Sequence, residues 1–250
     1  MKKIFLMLIM VAAAAACQKK DAVSVEIDQN GDCIFQNSVV CFRLPGAGNP
    51  VVTDGVEAIL KTMDKKEVIL KDRKAALAAS MNDGGSALLV NDSLVFPHEN
   101  FDSFEIVEQT PTHVIFTLHY PKWTVGQDSV SLTRTITLRE PAYTFKVKDI
   151  YDIRNGQDIT VAIGFAKRGV EKYESGDDYI AAWESVASEG NIGVGFVMPM
   201  TRDFTFDGPQ DHAIAIFKTK SGRPVEYAMG GCWSQSSISS FDLWVEQFRL

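Results

Sequence analysis

The chain has 250 residues, 46% of them hydrophobic, and 25 Lys and Arg set against 32 Asp and Glu give a formal net charge of −7. That composition is ordinary for a globular core, while an acidic surface excludes nucleic acid and anionic lipid as natural partners. Past the first residues no run is apolar enough to span a bilayer, so one core, or two packed sheets, is the expectation for this length.

The N-terminus carries its features in the order a secretory signal needs: Lys2 and Lys3, then the apolar Ile4 to Val11, then the small residues Ala12 to Ala16. Ile4 to Cys17 falls short of the roughly 18 apolar residues that a spanning helix requires. Ala15-Ala16-Cys17-Gln18 resembles a bacterial lipobox, in which the cysteine is acylated and becomes the mature N-terminus. Several acyl chains on one cysteine hold a protein firmly, each buried methylene adding about 0.8 kcal/mol. The expected organisation is a signal peptide over 1–16, a lipidated tether over 17–22 and a single domain over 23–250, tethered in the periplasm or at the cell surface, with the outer membrane favoured. Removing the signal takes away two lysines and leaves the chain more acidic still.

Val23 to Asp28 predicts a first strand, ended by Asn30-Gly31-Asp32, and Cys33 to Gln36 with Ser38 to Leu44 predicts a hairpin around Asn37. Cys33 and Cys41 flank that hairpin. A disulfide between them and a pair of buried reduced thiols are both open, and Cys232 is left over either way. No Cys-x-x-Cys pair and no Cys/His metal spacing occurs, so neither metal nor cofactor is expected. After the Pro/Gly loop Arg43 to Asn49, Val51 to Met63 reads either as a short helix capped by Asp54 or as a strand pair. Val68 to Leu70 looks extended, and Lys71 to Met81 has helical composition, broken by Asn82-Asp83-Gly84-Gly85. Ser86 to Val90 and Ser93 to Phe96 flank an Asn91-Asp92 turn, and Phe101 to Glu108 and Thr112 to Tyr120 are strands around Thr110-Pro111.

The centre of the chain has the clearest pattern. In Ser129 to Glu140, Val130, Leu132, Ile136 and Leu138 alternate with Ser129, Ser131, Thr133, Thr135 and Thr137, the period of a half-buried strand. Ala142 to Arg154 alternates again through Tyr143, Phe145, Val147, Tyr151 and Ile153, and Ile159 to Phe165 returns after Asn155-Gly156-Gln157 to complete an antiparallel meander. Its apolar face needs covering by a second layer. Tyr179 to Val186, Ile192 to Met198, His212 to Lys218 and Pro224 to Trp233 supply further strands. A helix closes the chain: Ser239 opens a Ser-x-x-Asp box with Asp242, and Phe241, Trp244, Val245 and Phe248 form a stripe that should dock on a sheet. The fold class is mainly β, an antiparallel β-sandwich with a short C-terminal α-helix.

Two charges interrupt the apolar faces, Arg134 in one central strand and Asp149 in the next. A turn pairing Leu138 with Tyr143 would set Arg134 opposite Val147 and diagonal to Asp149. The two then form a core ion pair or line the wall of a partly open site. His113 and His119 lie together on the polar side of their strand, too far apart to chelate one ion. Trp183, Glu184, His212, Glu226, Tyr227 and Trp233 gather in the last third. Rings beside carboxylates are what sugar recognition uses, the ring covering C–H faces and the carboxylate accepting from hydroxyls. Trp183, Trp233 and Tyr227 are therefore candidate sugar-binding residues. Glu184 and Glu226 are candidate acid and base for a glycosidic bond, with Arg134 and His212 orienting or stabilising charge. Gly-x-Ser-x-Gly, Gly-x-x-x-x-Gly-Lys, Gly-x-Gly-x-x-Gly and His-Glu-x-x-His are all absent, so the common hydrolase, nucleotide and zinc-protease readings lose support. Gly193, Gly195, Gly230 and Gly231 read as close-packing glycines in strands.

Val130-Ser131-Leu132-Thr133-Arg134-Thr135-Ile136-Thr137-Leu138, then Trp183-Glu184 with Gly190-Asn191-Ile192-Gly193-Val194-Gly195, then Tyr227-Ala228-Met229-Gly230-Gly231-Cys232-Trp233-Ser234 before Phe241 and Trp244, resemble in that order a family of domains of unknown function numbered 4861. The resemblance is best from about Phe101 to Leu250. It implies an extracytoplasmic protein of polysaccharide-degrading bacteria with a large β-sandwich like those of galactose mutarotases, and hence a glycan as ligand, handled by binding or by cleavage. No catalytic residue is carried over from it; Arg134, Trp183 and Trp233 are motif positions only. The sequence departs from the family near its start, where Ile34-Phe35-Gln36-Asn37-Ser38 stands in place of a Trp-Glu-Asn-Asp-like stretch, and in a shortened N-terminal half. A structural or protein-interaction lipoprotein is the other class in view, and oligomeric state is open.

Overall fold

The computed structural model describes residues 23–53, 55–61, 67–68, 77–153, 156–199 and 203–249. The signal segment, Cys17 and the tether lie outside the described residues, as do Asp54 and most of the helical-composition stretch from Lys71.

Among the described residues eighteen strands follow one another: β1 (Ser24–Ile27), β2 (Cys33–Gln36), β3 (Cys41–Leu44), β4 (Glu57–Lys61), β5 (Glu67–Val68), β6 (Gly85–Val90), β7 (Ser93–Val95), β8 (Ser103–Gln109), β9 (His113–Val125), β10 (Asp128–Arg139), β11 (Thr144–Ile153), β12 (Asp158–Ala166), β13 (Val170–Ser175), β14 (Tyr179–Ser185), β15 (Asn191–Val197), β16 (Phe204–Gly208), β17 (His212–Lys220) and β18 (Pro224–Trp233). The α-helix described, α1 (Phe241–Val245), comes last. Three antiparallel sheets result. The largest has eight strands in the order β13-β14-β15-β18-β11-β10-β9-β8, and the two five-stranded sheets run β1 to β5 and β16-β17-β12-β6-β7. The fold is a mainly β, antiparallel sandwich whose second layer is divided between the two smaller sheets.

Alternation in the central strands decides which face of the large sheet is buried. Val130, Leu132, Ile136, Leu138, Phe145, Val147 and Tyr151 all lie inside, while the Thr and Lys residues between them face out. Both smaller sheets cover that inner face. Phe35 from β2 meets Phe116 and Phe145 at ring-centroid distances of 5.3 and 5.2 Å, Phe42 from β3 meets Phe145 at 4.7 Å, and Phe165 from β12 meets Phe196 at 6.0 Å. Edge-to-face geometry of this kind adds to the burial itself.

The register differs from expectation by two residues. Leu138 pairs with Phe145, not Tyr143, because Glu140 to Tyr143 are all spent in the turn, and Arg134 therefore stands directly opposite Asp149. The meander also ends earlier than its sequence suggests. β11 has β18 as its second neighbour, and β12 crosses to the other layer to sit between β17 and β6. Its composition explains the move: from Val161 to Ala166 every residue is buried, so the strand has two covered faces and cannot sit beside the half-exposed β11.

In the first sheet β2 and β3 pair with Cys33 opposite Leu44 and Cys41 opposite Gln36. The three described cysteines are buried and none is in a disulfide, so the pairing of Cys33 with Cys41 is not made. Asn37 organises the hairpin instead: its Oδ1 accepts from the Val39 and Val40 N–H groups at 3.0 Å, and its Nδ2 donates to the Arg139 and Ala142 carbonyls at 2.7 Å, fixing the first sheet to the β10–β11 turn. Within Val51 to Met63 the described structure is the strand β4.

The C-terminal stripe docks on the outer face of the large sheet, over β14 and β15. Trp244, Val245 and Phe248 are buried, and the Trp244 indole donates to the Val194 carbonyl at 3.1 Å. The cap is Ser240 rather than Ser239, its Oγ accepting from the Leu243 N–H at 3.3 Å. Glycine at 193 and 195 permits the approach: a Cβ at Gly195 would stand 2.8 Å from the Phe248 ring, and one at Gly193 would stand 2.9 Å from Trp244.

Candidate functional site

The residues singled out from the sequence divide sharply by location. Arg134 is 2% exposed and Asp149 fully buried. Arg134 Nε donates to Asp149 Oδ1 and its terminal nitrogen to Asp149 Oδ2, both at 2.8 Å, the two parallel bonds of a bidentate pair. Ser86 Oγ and Tyr227 OH each donate to Asp149 Oδ2 at 2.6 Å, Arg134 also donates to Ser86 at 2.9 Å, Tyr151 OH lies 2.7 Å from Ser86, and the guanidinium lies 5.8 Å from the Tyr120 ring centroid. Burial pushes the Tyr227 hydroxyl far above the usual phenol range, so it stays a donor. The alternative left by the sequence is thereby decided: Arg134 and Asp149 are a core ion pair at the junction of the large sheet with β6.

His212 is buried too. Its Nδ1 faces the Gln210 carbonyl at 2.7 Å, an arrangement that needs a proton on Nδ1, and Nε2 accepts from the Met81 N–H at 3.2 Å. Burial lowers its pKa from the ordinary 6.5, so it is a neutral hydrogen-bonding link between β17 and the loop before β6. Trp183 and Trp233 are each only 6% exposed; Trp233 donates from its indole to the Glu189 carbonyl at 3.0 Å, and Trp183 packs near Phe241 of the helix. Neither ring presents a face to solvent, so neither is a platform for a sugar in this fold.

Glu184 and Glu226 are separated by the sheet itself. Glu226 pairs across β18 with Lys148, on the open side. Glu184 pairs with Ile192, which pairs with Trp233, an odd number of residues along β18 from Glu226 and hence on its other face. Glu184 is buried and Glu226 exposed. Two carboxylates on opposite faces cannot flank one glycosidic bond, which corrects their assignment as an acid/base pair.

Away from the helix, the outward residues of β9, β10, β11 and β18 are partly or fully exposed among the described residues. Successive outward residues of β9, β10, β11 and β18 form two rows: Thr117, Thr135, Lys148 and Glu226 face one another in the first, and Ile115, Thr137, Lys146 and Ala228 in the second, continued by Val197 of β15. A cavity of about 460 Å³ lies over these rows, lined by Ile115, Thr135, Thr137, Lys146, Lys148, Val197, Pro199, Glu226 and Ala228, with the inward-facing Val147 and Tyr227 contributing to its floor. That volume is in the range of small-molecule sites. Two hydroxyls, two ammonium groups and one carboxylate converge on an apolar floor, all mounted on rigid strands. Thr135 Oγ1 lies 3.2 Å from Thr117 Oγ1, which fixes one rotor of the set.

A family model described as a domain of unknown function, DUF4861, matches residues 78–249. The chain belongs to this family. No curated protein matches the chain. The DUF4861 region includes every residue lining the trough, together with the Arg134–Asp149 network; β1 to β5 precede it. Of the residues put forward from the sequence as site candidates, Glu226 and Tyr227 line the trough, but Tyr227 is buried with its hydroxyl on Asp149 and offers no ring face to a sugar, so Glu226 alone of the candidates reaches it as an exposed side chain. Its neighbours Thr135, Thr137, Lys146 and Lys148 were legible as the polar half of the β10 and β11 alternation. What was lacking was the fact that β18, far along the chain, lies beside β11 and brings Glu226 to them.

Proposed function

We propose that this DUF4861 protein is a lipid-anchored extracytoplasmic protein that binds an oligosaccharide in the trough on the open face of its large sheet. The observation that carries the reading is the trough: hydroxyl, ammonium and carboxylate groups converge over an apolar floor on one rigid surface. Such a set donates to and accepts from sugar hydroxyls while the floor takes their C–H faces. Binding is favoured over hydrolysis because Glu184 lies across the sheet, leaving Glu226 without the opposed carboxylate that glycosidic cleavage uses. The lipobox at Cys17 and the family resemblance support the location and the ligand class.

The test is a thermal-shift screen of the full-length chain in non-ionic detergent against plant, algal and host oligosaccharides. A ligand at about one hundred times its dissociation constant adds about 2.7 kcal/mol, or roughly 5 to 10 °C for a chain of this size. Glu226→Ala should remove most of that shift without lowering the ligand-free melting temperature. A flat screen with folded protein sinks the reading. Anchoring has its own test: Cys17→Ala should abolish acyl labelling and release the protein from membranes.

A second reading, a structural or protein-interaction lipoprotein, is favoured by one observation, the burial of both Trp183 and Trp233. It requires the flat screen.

A further inference from the structure

Resting on the saccharide reading above, we infer that the trough selects acidic saccharides, sugars bearing a carboxylate or a sulfate ester, and that Lys146 and Lys148 hold the anionic group. Both lysines project from β11 on the open face, two positions apart along the strand, and both line the cavity. Same-face neighbours on a strand stand about 6.6 Å apart, a gap that two flexible four-carbon stems close, so both ammonium groups reach one anion between them.

Among the described residues neither lysine forms an ion pair. The cations that are paired lie elsewhere, among them Arg134 with Asp149, Arg168 with Asp83, Arg43 with Glu57, Lys167 with Asp207 and Asp211, and Arg249 with Glu174. Glu226 stands opposite Lys148 across the ladder without closing on it and is, among the described residues, the only carboxylate lining the trough, so this lining is net positive in a chain whose formal charge is −7. Cations gathered without partners in one concavity of an acidic protein offer an attraction that acts within a Debye length of about 8 to 10 Å. The Thr135 and Thr137 hydroxyls lie directly across from Lys148 and Lys146 and can take ring hydroxyls beside the anion. Tyr227, the aromatic residue among the described lining, is buried with its hydroxyl on Asp149, so no ring is offered to stack a base and a sugar acid fits the lining better than a nucleotide.

The experiment is isothermal titration of the full-length chain, in non-ionic detergent, with three tetrasaccharides: a galacturonate oligomer, a sulfated carrageenan oligomer and neutral cellotetraose. One or both acidic ligands should bind at least tenfold more tightly than cellotetraose, with affinity falling several-fold between 50 and 300 mM NaCl. Lys146→Gln and Lys148→Gln should each weaken acidic binding about tenfold, the worth of a charge-assisted hydrogen bond, while Lys220→Gln on the third sheet leaves it unchanged. Which acidic arm responds assigns carboxylate or sulfate. Acidic binding that survives both lysine substitutions overturns the inference. So does cellotetraose binding that depends on Glu226 and not on the lysines, an outcome that leaves the saccharide reading standing. Failure of all three ligands with folded protein removes that reading and the inference with it.

Discussion

Arg134 and Asp149 carry the sharpest test of the core. A buried pair contributes little net stability over a well-packed apolar replacement, but removing one partner strands the other charge, at a cost of about 3 to 5 kcal/mol. Arg134→Leu should lose that much in urea denaturation, and Asp149→Asn added to it should cost much less than the sum of the single changes; strictly additive losses would show that the two are not coupled. His212 makes a second prediction through pH. Its pKa is lowered in the fold by burial, so the unfolded chain binds the proton first and stability is lost as pH falls below the ordinary value of about 6.5. The melting temperature should decline between pH 7.5 and 5.5, and His212→Asn should flatten that part of the decline even though it lowers the plateau. An unaltered slope would place the titration elsewhere. Both charges of the pair were visible in the sequence because each interrupts an apolar alternation. Their partners were not: Ser86 arrives from a different sheet and Tyr227 from a strand far along the chain, and the direct Arg134–Asp149 register depends on how many residues the turn at Pro141 consumes.

Strands with one wet and one dry face announce themselves, which is why β9, β10 and β11 were readable and β13 and β16 were not. β13, Val-Glu-Lys-Tyr-Glu-Ser, lies at the edge of the large sheet with no residue buried, so no periodic apolar signal exists to read. Its Tyr173 stacks on Phe206 of β16 at 3.7 Å with rings 5° from parallel, a contact between edges of two sheets that no local pattern encodes. The helix was readable by its stripe, and its short length makes docking, not intrinsic propensity, the source of its stability. Gly195→Ala tests that statement, because the added methyl would enter the space of the Phe248 ring and the Ile180 carbonyl. It should lower the melting temperature by several degrees, as should deletion from Phe241 onward, and the two changes together should cost little more than the deletion alone. Full additivity would mean that the methyl acts on the sheet and not through the helix.

At the scale of the molecule, the open question is whether the sheet β1 to β5, which precedes the DUF4861 match, is an appendage or half of the core. The packing argues for the core. Phe35 and Phe42 lie against Phe116 and Phe145, Gly231 has no room for a Cβ because Ala58 approaches it, and Asp83 both pairs with Arg168 and accepts from the Ala58 N–H at 2.8 Å. Asn37 adds the link to the β10–β11 turn. A fragment of residues 78–250 would therefore uncover the inner face of β9, β10, β11 and β18 over their aromatic centre. The trough occupies the opposite face of those same strands, so its lining depends on a layer it never touches. The full chain should unfold in a single transition by circular dichroism and by tryptophan fluorescence. The 78–250 fragment should bind a hydrophobic dye and lose its near-ultraviolet signal, as a chain with strands but no fixed packing does. Should the fragment instead melt sharply at the temperature of the full chain, the first sheet would be an independent module, and the shape of the trough would be set by the DUF4861 region alone.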